Sequence, residues 1–200
     1  MPRVSEAYAS ARRQQILEAA WRCFAREGFH ATSMQDIFAE SGLSAGAVYR
    51  YFPSKLDLVT TTAESIWQGV DAAFDRLARI DPVPAPNEAF RIVLGTAFGN
   101  ISNRAVDVSR IAVHVWSEAQ RESSIGTPVK EIGRGIRERW AGVAVRWKAA
   151  GRIPGDVDPQ NVGRIFYGLM VGFILQRNLV GDVSLDQYVV GLTALFEQAQ

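Results

Sequence analysis

Two hundred residues, 48% apolar and 22% charged, fit one ordinary domain or two small ones sharing a core, and exclude a disordered chain. Twenty-two basic against 21 acidic residues leave a formal charge of +1. That excludes a grip on nucleic acid by bulk charge alone, though not a small, locally arranged binding surface. The single Cys23 excludes a disulfide framework and a multi-cysteine metal site, and points to a reducing, cytoplasmic setting. No targeting or spanning segment is expected. The N-terminal stretch is polar, and the longest apolar run, Ile165 to Leu175, falls short of the roughly 20 residues a bilayer needs.

The apolar spacing is helical nearly everywhere. Leu17, Ala20, Trp21 and Phe24 share one face of a first helix that Gly28 stops. A short second helix spans about 33–40, capped by Thr32 or Ser33 and ended by Gly42. Ser44 caps a third, through about Tyr51. After Pro53, Ser54 caps a long fourth helix to Ile80, with Leu58, Val59, Thr62, Ile66, Val70, Phe74 and Leu77 in register. The prolines at 82, 84 and 86 form a stiff linker.

Asn87 is expected to cap the next helix, and another carries Val108, Ile111, Ala112, Val115 and Trp116. Thr127-Pro128 reads as the start of a helix with Ile136, Trp140, Val143 and Trp147 inward. A helix from about Asp158 to Asn178 has two apolar faces. Val162, Ile165, Phe166, Leu169 and Phe173 suit the chain's own core; Tyr167, Gly168, Val171, Gly172 and Leu175 suit a partner helix. Ser184 caps a last helix bearing Tyr188, Leu192, Leu195 and Phe196, which would complete a four-helix interface between two copies. About nine helices and no convincing strand make the chain all-α.

The sharpest local chemistry lies at residues 33–51. A short connection, Ser41-Gly42-Leu43, forces two helices to cross steeply, as in a helix-turn-helix. The second of them leads with Ala45, Gly46 and Ala47, small enough for close approach to a grooved partner, then presents Tyr49, Arg50 and Tyr51. Tyrosine hydroxyls and Lys55 suit phosphates, and Arg50 suits a base edge. Residues 1–60 hold seven basic and six acidic side chains, so one copy would bind DNA weakly and two on one duplex far better.

The stretch TSMQDIFAESGLSAGAVYRYFPSKLDLV, residues 32–59, with the helix before it, closely resembles the DNA-binding signature of the tetracycline-repressor (TetR) family. The resemblance covers about a quarter of the chain. It implies a DNA-binding domain over 1–53, and a helical ligand-binding and dimerisation domain over 54–200. It implies a homodimeric regulator, usually a repressor, on an inverted-repeat duplex operator. Phosphate contacts carry over onto Thr32, Tyr49, Tyr51 and Lys55. Base-facing positions carry over onto Ser44, Ala45, Gly46, Ala47 and Arg50.

The family's inducer pocket would draw on Trp67, Phe74, Phe98, His114, Trp116, Trp140 and Met170, so the implied effector is small and hydrophobic or aromatic. Its binding would move the long fourth helix and lower operator affinity. The rivals are an enzyme and a helical ligand-binding protein without a DNA role. Two histidines, no zinc-ligand spacing, no phosphate-cradling glycine loop and no nucleophile elbow leave little for catalysis, a cofactor or a metal. Glu118 and Glu122 are read as a solvated carboxylate pair.

Overall fold

The computed structural model describes residues 6–102 and 107–197, and among these every regular element is helical. In chain order the helices are α1 (Glu6–Ala31), α2 (Met34–Ser41), α3 (Ala45–Tyr49), α4 (Lys55–Ala78), α5 (Pro86–Ser102), α6 (Val108–Ala119), α7 (Ser123–Ala149), α8 (Pro159–Leu179) and α9 (Leu185–Glu197). They fall into two compact units. The first is Met1–Ser65 with Arg104–Pro128; the second is Ile66–Asn103 with Val129–Gln200. The division falls inside α4, and α6 belongs with the first unit.

The local signals act as chemistry requires. Gly28 takes φ 77° and breaks α1 near its end, a conformation open to glycine because it has no Cβ. Ser33 caps α2 in a capping box: its hydroxyl accepts from Asp36 N, and Asp36 accepts from Ser33 N at 2.7 Å. Gly42, left-handed at φ 67°, closes α2. Ser44 Oγ accepts from Ala47 N at the start of α3, and Ser54 Oγ from Asp57 N at the start of α4. Ser184 and Gln187 form a second reciprocal cap at α9.

Two boundaries differ from the sequence reading. α5 starts on Pro86, whose missing N–H costs nothing in a first turn. Asn87 therefore lies inside the helix, and its amide donates to Thr193 Oγ1 on α9 at 2.7 Å. α7 starts at Ser123, a turn before Pro128, because Ile125 and Gly126 already bond back to Glu122 O.

The first unit buries Ile16, Leu17, Trp21, Phe24, Ile37, Val48, Phe52 and Leu58. Trp21 donates its indole N–H to the fully buried Thr62 at 2.8 Å. The second unit is built on aromatic rings. Trp140 has Phe74 edge-on at 5.0 Å and Phe166 at 4.7 Å, with Trp147 and Phe90 beyond. Trp147 closes the linker by donating to Pro84 O at 2.8 Å.

α8 turns inward the face expected of it, with Phe166 and Phe173 buried and Val162 and Leu169 packed against the core, but Ile165 is left out. Gly163, Phe166, Met170 and Phe173 are buried, whereas Ile165 is 63% exposed. The cause is Gly163. A Cβ there would lie 2.5 Å from Arg137 O, so α8 and α7 meet backbone to backbone at that point and the helix must face it.

Candidate nucleic-acid interface

α2 and α3 form the helix-turn-helix, with Ile37 and Val48 buried beneath it. Its outer side carries Ser44, Ala45, Gly46, Tyr49 and Arg50, all exposed, with Ala47 and Tyr51 half-buried. No Cβ-sized neighbour lies within 4 Å of Gly46, so the leading end of α3 is open. Tyr49 stands edge-on to Phe38, ring centres 5.3 Å apart, which fixes its ring while 46% of the residue stays exposed. Arg50 lies over the Tyr51 ring at 5.6 Å and makes no hydrogen bond or ion pair among the described residues. A free guanidinium beside a row of small residues is suited to a guanine edge in a major groove.

Two of the phosphate-contact positions look inward. Thr32 is buried, and its hydroxyl donates to Gly28 O at 2.8 Å, closing the turn after the kink. Lys55 Nζ donates to Phe29 O and Thr32 O, both at 2.8 Å, and stands 4.3 Å from the Phe29 ring centre. Burial pushes its pKa down, with Glu118 opposing that shift. The lysine thus ties the start of α4 to the end of α1. The sequence gives no hint of this, because the carbonyls it meets are more than twenty residues away.

Two arginines of α1 are also engaged. Arg22 and Arg26 both reach Glu40, at 2.7 and 3.3 Å, fastening α1 to α2. The Arg22 hydrogen bond, aided by Arg26, holds the Glu40 carboxyl below its ordinary range. Hydrogen bonds from the Ser33 side chain and backbone do the same for Asp36. Glu118 is not the solvated carboxylate expected: it is buried and meets His30 Nε2 at 2.8 Å, joining α6 to the end of α1. Beside it, His114 is exposed and lays its ring against Gly28, where a Cβ would stand 3.3 Å away.

The effector residues named from the sequence are shared between the two units. His114 and Trp116 belong to the first unit; Trp67, Phe74, Trp140 and Met170 belong to the second. The Phe98 side chain lies outside the described residues. Trp140, Phe74 and Met170 do cluster, and Trp140 donates its N–H to Met170 Sδ at 3.0 Å. Trp67 is half-buried and passes over Gly135, 3.0 Å from where a Cβ would sit.

The interface positions divide as well. Tyr188 stacks on Phe90, Leu192 is buried in its own unit, and the Tyr167 hydroxyl sits over Gly133. Gly168 and Leu195 are exposed; Val171, Gly172, Leu175 and Phe196 are half-buried. Ile165 and Val190, absent from the expected set, join the exposed side of α8 and α9.

These features define an all-helical protein with an N-terminal helix-turn-helix of the DNA-binding kind. Residues 16–61 match the family described as "Bacterial regulatory proteins, tetR family". The chain is 28% identical over 186 residues to the HTH-type transcriptional repressor Rv1474c of Mycobacterium tuberculosis, covering 91% of this chain and 90% of that one. It is 25% identical over 197 residues to the HTH-type transcriptional regulator TtgR of Pseudomonas putida, covering 91% and 87%. The transcriptional regulator FadR from Bacillus subtilis, solved in complex with stearoyl-CoA, shares the fold with a TM-score of 0.74 at 17% identity, over 92% of this chain and 96% of that one. Residues 16–61 thus match the DNA-binding domain of the tetR family, and along its length the chain is similar to HTH-type transcription regulators.

Proposed function

We propose that the protein is a homodimeric repressor that holds an inverted-repeat operator through α2 and α3 and is released by a small hydrophobic or aromatic effector. The observation that carries the reading is the exposed face of Ser44, Ala45, Gly46, Tyr49 and Arg50, backed by a firmly capped and buried scaffold. In this reading the small residues let α3 enter the groove, Tyr49 and Tyr51 hold phosphates, and Arg50 reads a base. Lys55 and Thr32 set the angle at which α2 leaves α1.

The dimer is supported by the apolar side chains left uncovered on α8 and α9. Ile165, Val190 and Leu195 are 63%, 66% and 74% exposed, and Gly168 and Gly191 beside them permit close approach of a second copy. Two copies would present their recognition helices about 34–36 Å apart, one helical turn of duplex. Release requires the effector to favour a state with lower operator affinity. Because Trp140 is fully buried among rings, an effector entering there must repack Phe74, Trp140 and Met170.

Selection from random duplexes, followed by gel shift with the enriched sequence, tests the reading. An inverted repeat with half-sites one turn apart is expected. Failure to enrich any duplex would leave the protein a helical ligand binder without a DNA role.

A further inference from the structure

The second unit carries a cleft between α7 and α8. It is lined by Arg134, Arg137 and Glu138 from α7 and by Gln160 and Arg164 from α8, and it holds about 180 Å³, open to solvent on one side. Two close approaches build it. Gly163 brings the α8 backbone against Arg137 O and Ala141 N, and one turn later the Tyr167 hydroxyl sits over Gly133, 2.9 Å from where a Cβ would stand. Residues 134 and 137 share a face of α7, as 160 and 164 share a face of α8, so the side chains converge.

The charges lining this cleft are unbalanced, whereas other arginines of the same unit are held. Arg139, on the same helix, meets Asp71 and Asp75 at 2.6 and 3.0 Å, and Arg146 donates to Leu77 O and Ile80 O. Arg134 and Arg137 have no hydrogen-bond or ion-pair partner among the described residues. Arg164 has the neutral Asn161 amide oxygen at 2.7 Å. Glu138 supplies the lining's one carboxylate and forms no ion pair among the described residues. Three guanidiniums against one carboxylate leave two positive charges to be met. Guanidinium forks match phosphate oxygens two bonds at a time.

We propose that this cleft is an anion site for the diphosphate group of a small molecule, held by Arg134, Arg137 and Arg164. Gln160 adds a neutral donor, and Glu138 sets an upper limit on affinity by repelling the bound charge. The site lies wholly in the second unit, so its fate is independent of the DNA-binding reading.

Calorimetric titration of the full chain with inorganic pyrophosphate, inorganic phosphate and ADP tests it. Pyrophosphate is expected to bind saturably, one per chain, and more tightly than phosphate. The R134Q/R137Q variant should weaken this by about tenfold or more, the loss of at least one charge-assisted bond. E138Q should tighten it. R79Q/R152Q removes the same charge from exposed positions outside the cleft and should leave binding unchanged. ADP binding tighter than pyrophosphate assigns a nucleotide-type ligand; the reverse order assigns the inorganic ion. The proposal is overturned by an absence of saturable pyrophosphate binding, by equal losses in the two double variants, or by saturation with duplex DNA alone.

Discussion

Replacing Lys55 by methionine keeps the aliphatic stem and removes the ammonium, and its consequence separates two roles for this residue. In the structure Nζ is committed to Phe29 O and Thr32 O at 2.8 Å, with His30 O more distant at 3.5 Å. Charge-assisted bonds contribute about 1.5–3 kcal/mol each, and the partial exposure of Lys55 favours the lower end. A total loss of about 1.5–3 kcal/mol is expected for K55M, which for a 200-residue chain lowers Tm by about 4–10 °C. Operator affinity should fall too, because the turn from α1 to α2 loosens. The slope of log affinity against log salt decides the cause. A positioning lysine leaves it unchanged, whereas loss of a direct phosphate contact in each of two copies makes it shallower by about 1.8. A variant with unaltered Tm and the shallower slope would refute the positioning role.

Arg50→Ala should relax preference at one base pair in each half-site, a loss of about 1–3 kcal/mol of discrimination, read by repeating the duplex selection; an unchanged preference removes Arg50 from base reading. The V190E/L195E variant should run as a monomer in sedimentation at micromolar concentration and lose nearly all operator affinity, while an intact dimer would show that α9 is not the interface. Asp36 and Glu40 both have depressed folded pKa values, so their contribution to stability is full above the ordinary carboxylate range and is lost as pH falls through the depressed values. Denaturant melts of D36N/E40Q should therefore show a flatter acid limb than the unsubstituted protein, and parallel limbs would deny these two groups the linkage.

The helix-turn-helix was legible because its signals are local. Ser33, Ser44 and Ser54 each bond to a backbone N–H three residues on, and Gly42 and Gly28 supply positive φ where the chain must turn. What escaped the sequence depends on neighbours distant along the chain. Nothing in the α8 pattern reveals that Gly163 meets the backbone of α7, yet with that contact the helix leaves Ile165 outside the face that Val162, Phe166, Leu169 and Phe173 turn inward. Nothing in Glu118 reveals His30, nothing in Asn87 reveals Thr193, and nothing in Lys55 reveals the carbonyls closing α1. Periodicity reports how much of a helix is covered; the covering partner is a property of the assembled fold.

The same contacts explain how a domain with a net charge of +1 can still be built for DNA. Seven basic residues precede position 60, and Arg3 lies outside the described residues. Of the other six, Arg22 and Arg26 are paired with Glu40, Arg12 bonds Tyr8 and Gln15, Arg13 bonds Thr61, and Lys55 bonds backbone carbonyls. Arg50 alone among these described residues is left with only an aromatic ring beside it, and it stands at the end of the recognition helix. Most of the domain's positive charge therefore holds its own helices at fixed angles and does not serve as a general attraction for phosphate. Weak non-specific binding follows, since that binding comes from counterion release by free cations. Affinity must then come from shape, from the few contacts of α3, and from the effective concentration that a second copy supplies on the same duplex. A near-neutral helix-turn-helix is thus tied to dimerisation more strictly than a basic one would be.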